Sequence, residues 1–296
     1  MALIWLPLSE GCGARYEITE RPVPLTARLE ADYPEAMPKL AANLSMLFTE
    51  LPFLDRFHAA AGAGFRWVEY QFPYAEDSLE IARRARSAGV GVVLHNLPAG
   101  NIDGGDRGIA CLPDRVQEFR QGVRMAVRYA QDAGCRQLNC LAGVPPQGIT
   151  REVAFDTLVG NLGHAAAELA ARGMTLMLEA VNTRTVPGFL VDGTDVALRA
   201  IRACGADNVR LQFDLFHMQI MEGDLSRALE RLLPWIGHIQ VADVPGRNEP
   251  GTGELGVPFL MSSLDRMGYR GYVGCEYNPA AKTVDGLHWA RAFQDA

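Results

Sequence analysis

The chain has no CxxC pair among its six cysteines, and no run of about 18 apolar residues of the kind a membrane span requires. Cys12, Cys111, Cys135, Cys140, Cys204 and Cys275 are scattered, several of them in apolar stretches. That spacing favours small buried thiols in a reducing compartment over a disulfide framework or a metal cluster. The opening MALIWLPLSEG lacks a basic start and a continuous apolar core, so it is a poor signal peptide and a cytoplasmic protein is expected. Positive charge is also short: 28 basic against 35 acidic residues leave a net charge of −7. A nucleic-acid groove needs a basic stripe, so nucleic acid is not an expected partner. A small anion is compatible, because one or two placed arginines bind a carboxylate locally. No GxSxG, HExxH, Walker or dinucleotide-binding motif is present. The glycines of GTGELG do not lie between a strand and a helix as a dinucleotide fingerprint requires.

What is present is a large apolar content, 48% of 296 residues, enough for a substantial core. Residues 1–36 carry Pro22, Pro24 and Pro34 and no clear period. They read as an N-terminal extension, flexible or docked as an arm, with Met37 as an equivalent start of a domain over 37–296. From residue 39 short apolar runs alternate with amphipathic stretches. Strands are predicted at 39–48, 65–73, 91–98, 136–143, 175–182, 209–217, 236–244 and 272–279, all apolar as strands covered on both faces should be. Helices are predicted between them, for example over 52–64, 78–89, 114–134 and 152–173, each closing on glycine. Asp114 with Gln117 resembles a capping box at the start of the third. Eight βα units suit a closed barrel or an open doubly wound sheet. The open sheet usually carries a glycine-rich turn after its first strand, whereas here FTELPF follows. The prediction is a single (β/α)8 TIM barrel, a fold of roughly 250 residues.

Barrel enzymes carry their chemistry at the carboxyl ends of strands. Four polar residues interrupt the apolar runs there: Glu179 in the fifth strand, Asp214 in the sixth, Gln240 in the seventh and Glu276 in the eighth. Singly, a strand-end carboxylate more often caps a helix or pairs with a basic residue. Together, three carboxylates and an amide on consecutive strands repel one another without a counter-charge. An all-oxygen set suits a hard divalent ion, Mg²⁺ or Mn²⁺, better than zinc. His217, three residues after Asp214, reads as a substrate contact or as a hydrogen-bonded structural histidine. His95 and Glu69 stand in the same position, able to line the mouth or simply to be buried. Arg247, in the Gly/Pro-rich loop after the seventh strand, is the first choice to clamp a substrate carboxylate. Arg107, in the glycine-rich loop NIDGGDRGIA, is the second, and that loop is a candidate lid.

The segments AANLSMLF, VEYQFPY, LHNLPAG, GDRGIACLP, NCLAG, PGF, QFDLFHMQIMEGDL, HIQVAD, GRNEPGTGE and GCEYNP occur in this order. From about residue 38 to 293 the chain thereby resembles the hydroxypyruvate isomerase family, within the xylose-isomerase-like and endonuclease-IV-like barrel superfamily. The resemblance implies that Glu179, Asp214, Gln240 and Glu276 hold the metal and that Glu179 and Glu276 are also the catalytic acid/base pair. His217 and Arg247 match substrate-contacting positions of related sugar epimerases more loosely. AVNTRTVPGF, after Glu179, departs from the family pattern of a proline one residue after the Glu and a histidine after the Asn, which puts substrate detail in doubt. The implied reaction interconverts hydroxypyruvate and tartronate semialdehyde through an enediolate. The expected partner is a small 2-oxo acid, with no nucleic acid and no membrane, and assembly into a homo-oligomer is compatible with the barrel. Rival readings are a 2-oxo-tetronate isomerase of the same family, a repair endonuclease, which six histidines and an acidic chain argue against, and a non-catalytic binding barrel.

Overall fold

The structure is a computed structural model that describes residues 38–293; the extension expected at 1–36 lies outside those residues. Eight parallel strands close on themselves in sequence order. They are β1 (Lys39–Asn43), β2 (Trp67–Tyr70), β3 (Gly91–Asn96), β4 (Gln137–Cys140), β5 (Thr175–Glu179), β6 (Val209–Asp214), β7 (Ile236–Val241) and β8 (Tyr272–Cys275). Closure is made by β1 against β8, with Lys39 opposite Tyr272 and Ala42 opposite Cys275. The predicted TIM barrel is the observed fold, with each strand inside its predicted run.

The helices are α1 (Arg56–Gly62), α2 (Ser78–Ala88), α3 (Val116–Ala133), α4 (Arg151–Ala170), α5 (Thr194–Cys204), α6 (Leu215–Met221), α7 (Leu225–Leu232) and α8 (Val257–Arg266). Asp77 starts α2 by accepting from the amides of Leu79 and Glu80 at 3.0 Å. Gly89 and Gly134 end α2 and α3 in the left-handed region, at φ 70° and 71°, where a side chain would be strained. The capping box at Asp114 is not formed. Pro113–Arg115 make a 3-10 turn first, and α3 begins at Val116 without a side-chain cap. Arg115 instead ties that turn to Asp106 at 2.7 Å and to Glu118 at 2.7 Å. After β8 the described residues hold only 3-10 turns, Thr283–Trp289 and Arg291–Phe293.

Alternation along the strands sets what faces the axis. Glu69 of β2 bonds His238 and Gln240 of β7. Strands β8 and β1 lie between those two, so the bonds cross the barrel interior. Gly274 of β8 makes room for them, since a Cβ there would meet the Glu69 carboxylate at 2.3–2.4 Å. The other face is mainly apolar: Leu40, Val68, Leu176, Leu178, Leu211, Phe213, Ile239 and Val273 are all buried in the main core.

Candidate active site

The carboxyl ends of the strands place Glu179, Asp214, Gln240 and Glu276 together, each no more than 5% exposed. Register does this: Glu179 pairs with Gln212, two residues before Asp214, and Asp214 pairs with Gln240. Glu276 follows β8 directly. The predicted sixth strand runs on to residue 217, because Leu215 and Phe216 continue the apolar run. Those residues are the first turn of α6, and Asp214 is its N-cap, accepting from Phe216 N at 2.8 Å and His217 N at 3.4 Å through Oδ1. The helix-capping role and the site role therefore coexist. Oδ1 caps, while Oδ2 is buried without a hydrogen-bond partner.

Each remaining carboxylate is held differently. Glu276 accepts from Gln71 Nε2 at 2.8 Å, Asn43 Nδ2 at 3.3 Å and Arg247 Nη2 at 2.6 Å. Glu179 accepts from Asn139 Nδ2 at 2.7 Å. Arg247 Nη2 also lies 3.7 Å from Asp214 Oδ2, so one guanidinium group stands between two acids. Burial, and then the neighbouring Glu276 and Asp214 carboxylates, hold Glu179 well above the usual carboxylate range. Burial pushes Glu276 up to about 7 against the lowering pull of Arg247. Burial on its own would lower Arg247, but Glu276, Asp214 and Glu179 outweigh it and raise it.

His217 Nε2 faces Asp214 Oδ2 at 3.5 Å and Glu179 Oε1 at 3.9 Å. Its Nδ1 accepts the Asn182 backbone N–H at 3.2 Å and sits 2.5 Å from the Asn182 amide nitrogen. The Asn182 oxygen is already taken by Thr185 N at 2.7 Å, which fixes the amide. Nδ1 is therefore an acceptor, and Nε2 carries the proton toward the carboxylates. Burial lowers this ring to about 4, so it is neutral at pH 7. Glu179, Asp214 and His217 bring three metal-ligating atoms within 4.8 Å of one another. The tautomer makes His217 a donor in that group, facing the oxygens of its two partners. The cluster suits a divalent cation.

Glu179, Glu276, His217, Arg247 and Arg107 line one cavity of about 320 Å³, together with Gln71, Asn96 and an apolar wall that includes Phe72, Ile102, Val186 and Phe189. Arg107 is at the mouth, donating to the carbonyl oxygens of Ile102 at 3.1 Å and Asp106 at 2.7 Å in its own loop. His95 is not at the mouth. It follows Leu94 and precedes Asn96 on β3, and adjacent strand residues face opposite ways. Asn96 lines the cavity, while the fully buried His95 ring stacks on Tyr70 with centroids 5.8 Å apart. Glu69 lies within the barrel, away from the cavity lining. Asn43, Gln71, Asn139, Asn182 and His238 are not among the residues predicted for the site; their one signal in the sequence is a polar residue in or just after an apolar run.

A closed parallel barrel with an acidic cluster at the carboxyl rim defines the class: a barrel of the enzyme kind, with a rim cluster consistent with a divalent cation. The profile described as xylose isomerase-like TIM barrel matches residues 57–293. A hydroxypyruvate isomerase of Escherichia coli (strain K12) is 46% identical over 258 residues, 87% of this chain and all of that protein. A 2-oxo-tetronate isomerase of Pectobacterium atrosepticum is 44% identical, covering 87% and 98% of the two chains. A crystal structure from Brucella melitensis, described as an AP endonuclease of family 2, is 44% identical with a TM-score of 0.85, covering 87% and 99%. A structure of L-ribulose 3-epimerase at 24% identity and TM-score 0.67 shares the fold. The chain belongs to the xylose isomerase-like TIM barrel family and is an isomerase of its hydroxypyruvate isomerase group.

Proposed function

We propose that the protein interconverts hydroxypyruvate and tartronate semialdehyde by moving a proton between adjacent carbons through an enediolate. The observation that carries this reading is the pair Glu179 and Glu276. They are two buried carboxyls facing one cavity, both held above the usual carboxylate range, with Glu276 at about 7, where a group gives and takes protons near neutral pH. Aldose–ketose interconversion needs one charged and one protonated carboxyl. Glu276 holds three N–H donors and is the better carboxylate; Glu179 holds one and is the better acid. Glu276 takes a hydrogen of the hydroxymethyl carbon as a proton, and Glu179 delivers one to the former keto carbon. The hydroxyl proton passes to the former keto oxygen, and exchange of one proton with solvent at each of Glu276 and Glu179 restores the pair, so atoms balance with no oxidant. The protonated Nε2 of His217 faces the cavity as a hydrogen-bond donor to a substrate oxygen.

Glu179, Asp214, Gln240 and Glu276 would hold Mg²⁺ or Mn²⁺. The fit rests on the partnerless Asp214 Oδ2, on three buried carboxylates of which Arg247 pairs with two, Asp214 and Glu276, and on an oxygen donor set suited to a hard ion. When bound, such an ion supplies electrophilic stabilisation of developing negative charge. Arg247 is the nearer cation for the substrate carboxylate, and Arg107, which among the described residues bonds to carbonyls of its own loop, is the second. Five free cysteines among the described residues, four of them buried, suit a reducing cytoplasm, and none of the described helices is long and apolar enough to cross a membrane.

The relative named 2-oxo-tetronate isomerase supports a second reading, a substrate one carbon longer. The test is turnover of both 2-oxo acids by chelated protein with Mg²⁺, Mn²⁺ or Co²⁺ restored. Cation-dependent conversion with the higher kcat/KM on hydroxypyruvate is expected. A higher value on 2-oxo-tetronate moves the assignment to the longer acid, and no turnover of either returns a non-catalytic barrel.

A further inference from the structure

Glu69 is fully buried inside the barrel and has no place in the reaction as proposed. Its Oε1 accepts from Asn43 Nδ2 at 2.9 Å and from Gln240 Nε2 at 2.8 Å, and its Oε2 accepts from His238 Nε2 at 2.7 Å. A carboxylate only accepts, so the end of the Gln240 side chain that meets it is the NH₂ end. The amide oxygen is then left on the β6 side, the strand that carries Asp214, where Gln212 Nε2 donates to it at 2.6 Å. Asn43 is polarised in the same way: its nitrogen meets Glu69 and reaches Glu276 at 3.3 Å, and its oxygen accepts Ser45 N. The barrel interior is shaped for this group, since Gly274 is the residue whose Cβ would collide with it.

We propose that Glu69 is a positioning residue that fixes which end of the Gln240 amide faces the acidic cluster, so that oxygen, the atom a hard cation binds, is presented there. The proposal rests on the reading that Gln240 belongs to the cation site. What matters is the acceptor oxygen of Glu69 rather than its charge. Glu69→Met removes the acceptor at similar length, whereas Glu69→Gln keeps a carbonyl oxygen for Gln240 and lets its nitrogen face His238, whose Nδ1 is partnerless and can carry the ring proton instead.

The experiment titrates Mn²⁺ into chelated full-length protein by calorimetry, with the metal-free thermal midpoint measured separately and kcat and KM read at saturating Mn²⁺. Partners that orient metal ligands are worth 10–100-fold in affinity. Glu69→Met is expected to weaken Mn²⁺ binding at least 10-fold and Glu69→Gln by less than about 3-fold. A Glu69→Met/Gln240→Met double variant, which removes both members of the Glu69–Gln240 bond, should bind Mn²⁺ within about 3-fold of Gln240→Met alone; this comparison decides if Glu69→Met by itself does not fold. Wild-type affinity in Glu69→Met, equal loss in Met and Gln variants, or additive losses in the double variant each overturn the positioning role while leaving the cation site standing. Absence of Mn²⁺ binding by the wild type overturns the cation site and this proposal together.

Discussion

The two faces of one sheet differ as sharply as two proteins. Outward, toward the helices, Leu176, Leu178, Leu211, Phe213, Ile239 and Val273 are apolar and buried. Inward, near the carboxyl ends, Asn43, Glu69, Asn139, Glu179, Gln212, Asp214, His238, Gln240 and Glu276 are polar and equally buried. Apolar burial stabilises at about 25 cal/mol per Å², whereas buried carboxylates cost free energy unless they are paired. The outer face therefore holds the barrel together, and the inner face keeps chemistry available at some expense of stability. Substitutions on the two faces should separate these effects.

The largest expected effect is on rate. Glu276→Gln removes the group assigned to proton abstraction, and general acid–base catalysis is worth about 10²–10⁴-fold. A fall in kcat of that size at saturating cation is expected, with little loss of stability. Near-wild-type turnover would falsify the role given to Glu276. The converse substitution lies in the outer layer. Phe57 of α1 is fully buried, with its ring 5.6 Å from Phe53 and 6.0 Å from Tyr70. Phe57→Ala should cost about 3–5 kcal/mol in urea unfolding and leave kcat within a factor of about two. A Phe57→Ala protein that is stable but slow would show that the two faces are not independent.

How much of this was legible differs by face. Outer residues repeat a single signal, so all eight strands and the barrel could be read. The four rim residues were legible because each broke an apolar run. His95 was misplaced because His95 and Asn96 both end β3, and one residue of parity decides which enters the cavity. The register shift between Val68 and Glu69 in the β2–β3 pairing shows that counting alone does not settle parity here. Glu69 and His238 were obscure for another reason. Glu69 is a lone charged residue in β2 and His238 shares β7 with Gln240, and only barrel closure brings the two side chains to 2.7 Å. The extent of β6 was overread because Leu215 and Phe216 are as apolar in a helix as in a strand.

His95 itself offers a third test, on the outer side of β3. Burial lowers it to about 4, below its usual value of about 6.5. The native ring stays neutral in that window while the unfolded chain takes up a proton, so stability is full above about pH 6.5 and falls as pH drops toward 4. At about 1.4 kcal/mol per unit, the loss is about 3 kcal/mol. His95→Phe keeps the stack on Tyr70 and cannot titrate, so its urea midpoint should fall less between pH 7 and pH 4.5 than the wild type's. Parallel curves would show that the ring is protonated without penalty in the fold.

The smallest effect is the most diagnostic of the inner face. Glu179 is raised well above the carboxylate range by burial and by the charges of Glu276 and Asp214. Its folded-state pKa therefore exceeds its unfolded one, and its contribution to stability is present at low pH and lost as pH rises through the folded value. Glu179→Gln carries no such loss. In chelated protein at pH 7.5 the variant should be more stable than wild type, by about 1 kcal/mol on the scale of other single stabilising changes, and the gap should close as pH is lowered toward 5. Saturating Mn²⁺ should reverse the order, because a ligand that binds only the folded state stabilises the protein that retains its carboxylate. If Glu179→Gln were less stable than wild type without cation, the carboxylate would be adequately paired by Asn139 and His217. The inner face would then bear no stability cost at this position, and the contrast between the two faces would rest on Asp214 and Glu276 alone.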